Sequence, residues 1–252
     1  MYKDFIEDRI NVFLEEFEKL VVKENIPVTD FLYKECDYKL DNTLPEIDDS
    51  FTLFTPYINR WGGKKDKHAW FYNEIKVPEN WEGEIQLAVA SDARLGWCDI
   101  NPQFIAYVDG KLQQGIDKNH REVFLTKENH KVYLYAYSGS IHDEYVDFVT
   151  NLQLIDAKTK QLYYDIKVPF EILAYEDENS RNYFEIKKYL NNAINFIDMR
   201  SPYSEEYYAS LDKAIDYLKT EFYGKYCCKG DVFAFCIGHT HIDVAWEWTL
   251  AQ

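Results

Sequence analysis

The sequence lacks the charge pattern of a nucleic-acid-binding protein. Of its 252 residues, 44 are acidic and only 28 are basic, the formal net charge is −16, and Lys and Arg form no run. Proteins that bind nucleic acid normally present a basic face, and anionic membrane surfaces attract basic segments. We therefore expect no nucleic-acid or membrane partner, and the charge favours a neutral or cationic one.

Long apolar runs and a disulfide framework are also missing. No stretch approaches the roughly 18 apolar residues that span a bilayer, and the residues from Met1 to Arg9 contain no signal-peptide core. The five cysteines are odd in number and lack framework spacing, which is typical of free thiols in a reducing compartment. The expected location is the cytoplasm.

Apolar residues make up 46% of the chain and aromatic residues 17%, which is enough for a core in one or two domains. Ile6, Ile10, Phe13, Phe17 and Leu20 follow helical spacing. This pattern predicts a helix from about residue 3 to residue 22, ended by the Asn25-Ile26-Pro27 segment.

The stretch from about residue 50 to residue 170 has the pattern of short β-strands. Glu84–Val89 and His130–Tyr137 alternate, and Lys160–Val168 is a further candidate strand rich in β formers. Asp109-Gly110 lies between two such runs and predicts a hairpin. Together these signals predict an antiparallel β-sandwich.

Helical spacing returns from about residue 181 to residue 225. Two apolar stripes are separated near Ser204, a candidate N-cap followed by acidic residues, and Gly224 is a candidate helix stop. The pattern predicts a helical hairpin. Asp231–Ile237 is then a continuous apolar run, which is typical of a strand buried on both faces in a parallel α/β sheet.

The residues that follow this run carry candidate metal ligands. His239, His241 and Asp243 are spaced by two, so an extended chain places all three on one face. Imidazoles and a carboxylate suit zinc, and sites in α/β folds gather at strand ends. Trp246 and Trp248 could form a flat wall for a sugar ring. Hydrogen-bonded histidines and core tryptophans would give the same pattern.

The complete string Gly-His-Thr-His-Ile-Asp-Val-Ala-Trp-Glu-Trp, residues 238–248, resembles the opening motif of family 38 α-mannosidases, especially the cytosolic, vacuolar and bacterial branch. The resemblance extends from about residue 50 to the end of the sequence. Its upstream segments are Trp61-Gly62, Asp66–Phe71, Asn101–Phe104, Asp109-Gly110, Gln114–Asp117, Asn119-His120, Leu162–Asp165 and Asn195–Pro202.

The resemblance implies a zinc-dependent retaining glycoside hydrolase that removes terminal α-linked mannose from glycans. His241 and Asp243 match the two zinc ligands of the motif, and Trp246 matches the aromatic residue against the mannose in the −1 subsite. His239 matches a residue that we do not count as a ligand. Glu247 departs from the apolar residue expected between the two tryptophans.

The family's nucleophile, its acid/base carboxylate and its remaining zinc ligands match nothing in this sequence. We therefore expect no catalytic residue here, an incomplete zinc site, and an N-terminal fragment that is inactive alone. The predicted fold is mixed α and β. Residues 1–175 form an N-terminal helix and a β-sandwich domain, 176–230 a helical linker, and 231–252 the first strand of a truncated α/β barrel catalytic domain.

Two alternatives stay open. The aromatic-rich β-sandwich could be a non-catalytic module that binds glycans or supports assembly of the complete enzyme. Exposed tryptophans on one face would favour glycan binding, and buried ones would favour scaffolding. A metal-dependent amidohydrolase also carries a His-x-His motif, but the Asp-x-x-Trp spacing and the upstream β region argue against it.

The expected partners are mannose-containing oligosaccharides, and a homo-oligomer of the full-length enzyme is left open. His68, His120, His130 and His142 match no ligand position of the family. We expect each of them to be a surface or hydrogen-bonded histidine.

Overall fold

The computed structural model describes residues 5–38, 43–56, 58–91, 103–117, 120–139, 145–146 and 148–227. The chain divides into two compact units. The helical unit comprises Met1–Lys23 and Ile155–Gly238, and the β unit comprises Glu24–Leu154 and His239–Gln252. The fold is mixed α and β, as the sequence predicts.

The described residues form strands arranged in two main sheets and a short pair. The strands are β1 Val22–Pro27, β2 Phe31–Cys36, β3 Thr52–Phe54, β4 Trp61–Gly62, β5 His68–Ile75, β6 Glu84–Ser91, β7 Gln103–Val108, β8 Lys111–Ile116, β9 Glu122–Leu125, β10 His130–Tyr137, β11 Tyr145–Val146 and β12 Phe148–Ile155. One sheet has the order β1-β12-β6-β9, the larger sheet has the order β3-β2-β5-β10-β7-β8, and β11 pairs with β4.

The larger sheet is antiparallel at each of its pairings. The predicted strands at Glu84–Val89 and His130–Tyr137 are confirmed, and so is the hairpin between β7 and β8. Asp109 and Gly110 have φ values of 51° and 79°. Positive φ at both central residues is what a two-residue hairpin turn requires, which explains the Asp-Gly pair.

One apolar core is shared by the two main sheets. The larger sheet contributes Phe71, Phe104 and Leu134, and the smaller sheet contributes Leu87 and Phe148. Aromatic rings dominate the contact, with Phe71 and Phe148 edge to face at a centroid distance of 4.9 Å. This arrangement is compatible with the predicted β-sandwich, since two sheets that share an apolar filling pack face to face.

The helical unit has its own core. Its elements are α1 Phe5–Glu18, α2 Ala157–Ile172, a 3-10 turn Leu173–Tyr175, α3 Arg181–Ile194, α4 Glu205–Tyr217 and a π-helical segment Leu218–Tyr226. Asp156, Ser180 and Ser204 cap α2, α3 and α4 by accepting hydrogen bonds from backbone N–H groups. The predicted helical hairpin with Ser204 as N-cap is therefore confirmed.

Three local predictions are wrong. Lys160–Val168 is part of α2 and not a strand. Asp156 caps this segment, and Leu162, Tyr163 and Ile166 bury a helical stripe, so packing overrides the β propensity of the residues. The first helix ends at Glu18, because the chain turns into β1 before Asn25. Gly224 does not stop the last helical segment, which continues to Tyr226 as π-helix.

The apolar run Asp231–Ile237, predicted as the first strand of a truncated α/β barrel, lies outside the described residues and stays a prediction. Among the helices that the structure describes, none is both long and apolar enough to cross a membrane.

We predict that Ser204→Ala lowers the free energy of unfolding by about 1 kcal/mol, because the Tyr207 N–H that bonds to the Ser204 hydroxyl at 3.1 Å loses its acceptor. Ser201→Ala is the matched control, since Ser201 is exposed and offers only its backbone carbonyl to the turn. Urea unfolding followed by circular dichroism measures both. Equal losses in the two variants would contradict the capping role.

Candidate functional site

The residues that the motif singles out lie outside the described part of the chain. This is true of His239, His241, Asp243, Trp246 and Glu247, so the ligand and subsite roles in this segment remain predictions. Within the described ranges, no group of three or more His, Cys, Asp or Glu side chains could hold a metal ion.

The described histidines of the β unit are all hydrogen-bonded, as the sequence predicts. His68 and His130 are buried, whereas the His120 side chain is 72% exposed and lies 3.0 Å from an Asp117 oxygen. His142 is outside the described residues.

His130 joins the β7–β8 turn to the segment between β9 and β10. Its Nδ1 lies 2.7 Å from Asp109 Oδ2, and its Nε2 lies 3.0 Å from Thr126 Oγ1. The bonds from His130 and from the Lys131 N–H hold the pKa of Asp109 below its ordinary value. The group resembles a nucleophile–base–acid triad, but its contacts tie the β7–β8 turn to the segment between β9 and β10, so we assign it a structural role.

The larger sheet has an aromatic face opposite the shared core, which we call the outer face. On β5, Ala69 and Phe71 enter the core, so Trp70 and Tyr72 lie on the outer face. The register places Tyr133 opposite Tyr72 and Tyr135 opposite Trp70. The outer face is thus a band of aromatic rings across adjacent strands.

Part of the outer face is covered by the chain itself. Phe51, from the segment before β3, packs in a cluster with Trp70, Tyr107 and Tyr135. Trp70 is only 3% exposed, and Trp61 and Trp81 are also buried. These three tryptophans therefore act as core, which favours a scaffolding role for them over a tryptophan platform for sugars.

An open cavity of about 490 Å³ lies at the β7–β8 end of the outer face. We call it the amide cavity because three glutamine residues are part of its lining. Its lining residues are Gln103, Phe104, Ile105, Leu112, Gln113, Gln114, Gly115, Ile116, Asp117, His120, Tyr135 and Tyr137. Among the described residues that line it there is no Lys or Arg.

The amides of this cavity keep hydrogen-bonding capacity. Gln114 donates from Nε2 to the Glu122 carbonyl at 2.9 Å, which leaves its carbonyl oxygen for another partner. The side chains of Gln103 and Gln113 have no hydrogen bond to any other described residue. Each amide offers two donor hydrogens and one acceptor oxygen. The cavity can therefore bind a ligand that carries several hydroxyl groups.

Hydrogen bonds and ring stacking fix the two tyrosines that line the amide cavity. Tyr135 is hydrogen-bonded through its hydroxyl to His68 Nδ1 at 2.8 Å, and the Tyr137 hydroxyl donates to Asp66 at 2.6 Å. His68 stacks on Tyr137 at 4.9 Å. Burial lowers the pKa of His68 below 6.5, against an opposing effect of nearby Asp66. Burial therefore favours the neutral form of this imidazole, which contacts both rings.

The sequence analysis did not identify this cavity. Gln103 and Gln114 stand on either side of the Asp-Gly turn, and the resemblance drew attention to both segments without assigning them a role. Their convergence depends on the β7–β8 pairing with its irregularity at Ala106 and Tyr107, and on the position of β10 beside β7. Such long-range register cannot be obtained from local spacing.

We predict that acidification destabilises the chain partly through His68. Because the pKa of His68 is lowered in the folded state, the unfolded state takes up a proton before the folded state does as the pH falls. The stabilising contribution is complete above pH 6.5 and is lost as the pH falls towards the folded-state value. His68→Phe should therefore weaken the fall in unfolding free energy between pH 7 and pH 5.

Tyr135→Phe is the control for this measurement. It removes the hydrogen bond but keeps the burial of His68, which is the main cause of the shift, so the pH slope should persist. Chemical unfolding at several pH values measures the slopes. An unchanged slope in His68→Phe would show that His68 does not titrate with folding.

Comparison with known proteins gives little additional information. No family model matches the chain, and no curated protein matches it. One similar solved structure contains the CBM51-2 and INT domains of ZmpB from Clostridium perfringens in complex with GlcNAc. It has a TM-score of 0.25 and 12% identity, and the match covers 78% of this chain and 41% of that one.

A second structure of the CBM51-2 and INT domains of ZmpB from Clostridium perfringens has a TM-score of 0.24 and 11% identity, with 76% of this chain and 39% of that chain covered. The chain thus spans about two fifths of the length of each structure. At these scores the likeness supports no conclusion about fold or ligand.

Proposed function

We propose that the β unit is a carbohydrate-binding module whose site is the amide cavity. One observation carries the proposal: Gln103 and Gln113 line this cavity, and their side chains have no hydrogen-bond partner among the described residues. Surface amides without partners are common, but here they line a concave space of about 490 Å³.

The chemistry of a sugar matches these groups. Neighbouring hydroxyls of a pyranose donate and accept in one plane, as a side-chain amide does, so each glutamine can bind a hydroxyl pair. The C–H face of the ring packs against an apolar side chain, a role open to Leu112, which lines the cavity and is exposed.

The charge of the cavity restricts the sugar. The described residues that line it include Asp117 and neither Lys nor Arg, and the whole chain has a net charge of −16. A carboxylated or sulfated sugar would be repelled, whereas a neutral sugar would not. Neutral sugars, including the mannose-containing oligosaccharides that the resemblance implies, are therefore the favoured ligands.

The scaffolding interpretation of the buried tryptophans is compatible with the proposed binding site. Trp61, Trp70 and Trp81 are buried, whereas the lining of the cavity consists of other residues, among them Gln103 and Gln113. The scaffolding interpretation holds for the tryptophans, and the binding proposal concerns other residues.

We predict that the double variant Gln103→Ala, Gln113→Ala weakens the binding of a neutral monosaccharide about tenfold or more, because each lost amide removes roughly 1 kcal/mol of hydrogen bonding. Neither side chain bonds to another described residue, so stability should be unchanged. Ligand-observed NMR with methyl α-mannopyranoside and with N-acetylglucosamine measures the binding.

Gln161→Ala is the control, since Gln161 is an exposed glutamine of the helical unit, on α2. Its binding should equal that of the unaltered chain, and sialic acid should bind to neither protein. Identical affinities in the double variant and the control would remove the amide cavity as the binding site.

The second candidate function is hydrolysis of α-mannosides, and the sequence motif at residues 238–248 favours it. In this proposal the chain is the N-terminal part of a zinc-dependent retaining α-mannosidase. His241 and Asp243 would ligate zinc, and Trp246 would pack against the mannose. Zinc would bind sugar hydroxyls and orient the ring.

The donor chemistry fits zinc only in part. An imidazole and a carboxylate are accepted zinc ligands, but stable sites need at least three protein ligands. Asp243, once committed to the metal, could not also attack the sugar, and retaining hydrolysis needs a second carboxyl group about 5–5.5 Å away. The proposal therefore places the remaining groups in the complete enzyme and not in these residues.

We predict that purified residues 1–252 neither retain stoichiometric zinc after dialysis nor release 4-nitrophenol from its α-mannoside, whereas the full gene product does both. In the full product, Asp243→Ala should lower zinc content and turnover together, and Glu247→Gln should leave turnover nearly intact. Turnover by residues 1–252 that disappears in Asp243→Ala would overturn this expectation.

A further inference from the structure

The helical unit contains a cavity that neither proposed function uses. Its volume is about 590 Å³, and its lining comes from α2, α3 and the π-helical segment. We call it the arginine cavity. Apolar side chains make up most of its described lining, among them Val168, Ile172, Ile186 and Phe222.

Several of these apolar residues remain in contact with solvent. Val168 is 52% exposed and Ile172 is 45% exposed, and Tyr223, which also lines the cavity, is 36% exposed. Ile186 and Phe222 are buried and belong to the core of the helical unit. Exposed apolar side chains that are grouped around a concave space, instead of being scattered singly, are typical of a ligand site.

The two tyrosines of the arginine cavity have hydroxyl groups that already donate within the protein. Tyr223 donates to the Asp165 carbonyl oxygen at 2.8 Å, and Tyr226 donates to Asn182 Oδ1 at 2.7 Å. Burial raises the pKa of Tyr223 to about 12, so this residue carries no charge at pH 7. Both residues therefore contribute apolar ring surface to the cavity.

Two other lining residues keep hydrogen-bond donors. Arg181 makes no hydrogen bond or ion pair with another described residue. Asn182 accepts from Tyr226 through Oδ1, which leaves its two amide N–H groups. Burial raises the pKa of Tyr226, and the charge of Arg181 opposes this effect. The guanidinium and the amide therefore lie near the same hydroxyl group.

The charge of the arginine cavity differs from that of the chain as a whole. The net charge of the chain is −16, yet the described lining of this cavity contains Arg181 and no Asp, Glu or Lys. Glu185, which also acts on the pKa of Tyr226, is bonded to Lys188 at 3.1 Å. The cavity therefore favours a ligand with a negative charge.

We propose that the arginine cavity binds an amphipathic carboxylate, such as a medium-chain fatty acid, with its carboxylate at Arg181 and Asn182. The apolar body of this ligand contacts Val168, Ile172 and Phe222. A guanidinium pairs with a carboxylate through two parallel hydrogen bonds. A purely apolar ligand would leave these donors unused, and a small inorganic anion would leave the apolar lining exposed, so a ligand with both parts fits best.

Isothermal titration calorimetry with octanoate tests the proposal. Octanol is the matched neutral ligand, since it has the same chain length without the charge. Arg181→Gln should weaken octanoate binding about tenfold, because the charge-assisted hydrogen bonds are lost, and should leave octanol binding unchanged. Arg181 is exposed, so the variant should fold normally.

Arg200→Gln is the control for the loss of an arginine. Arg200 is an exposed residue of the same unit that pairs with Asp198 at 2.6 Å and does not line the cavity. Its variant should bind octanoate as the unaltered chain does. Val168→Glu introduces a carboxylate at an exposed position of the apolar lining and should abolish octanoate binding, while circular dichroism shows an unchanged helical signal.

Equal octanoate affinities in Arg181→Gln and Arg200→Gln would overturn the proposal. So would octanol that binds as tightly as octanoate, or an unaltered chain that does not bind octanoate. The arginine cavity shares no lining residue with the amide cavity. Gln103→Ala, Gln113→Ala should therefore bind octanoate normally, and a failure of this proposal leaves the carbohydrate proposal unaffected.

Discussion

The alternation of β5 and β10 is the constraint on which the β unit depends. Each strand sends every second side chain into the core shared by the two sheets, including Phe71 from β5 and Leu134 from β10. A shift of one residue in their pairing would move these apolar groups to the outer face and bring tyrosines inside. The register that buries the core therefore also assembles the aromatic outer face.

The buried polar groups next to that face are hydrogen-bonded to one another. His68 is buried as a neutral imidazole bonded to Tyr135, and Tyr137 donates to Asp66, which the turn holds at φ 55°. An unpaired hydroxyl in this position would cost roughly 1–3 kcal/mol. Because both tyrosines are satisfied from within, their rings are fixed, and the amide cavity does not need a ligand to keep its wall in place.

The sequence predicted the parts of the fold that are encoded locally. Strict alternation marked β10, the Asp-Gly pair marked the β7–β8 turn, and Ser204 marked the start of α4. It failed at Lys160–Val168, where β-forming residues became helix because Asp156 caps the segment and Leu162 enters the helical core. Propensity is a weak signal when tertiary packing favours another structure.

The candidate sites show the same limit, because local sequence patterns reveal only sites whose residues are neighbours in the sequence. A contiguous motif such as residues 238–248 can be found without any structure, because its ligands are neighbours in sequence. The amide cavity joins Gln103, Gln114 and Tyr135 through two strand pairings, and no local pattern links them. One proposal thus comes from the sequence motif and the other from the cavity in the structure, and the two proposals use different residues. The proposed binding involves no metal, and the proposed hydrolysis involves none of the glutamines. The two proposals can therefore be tested by separate mutations, and a negative result for one leaves the other unaffected.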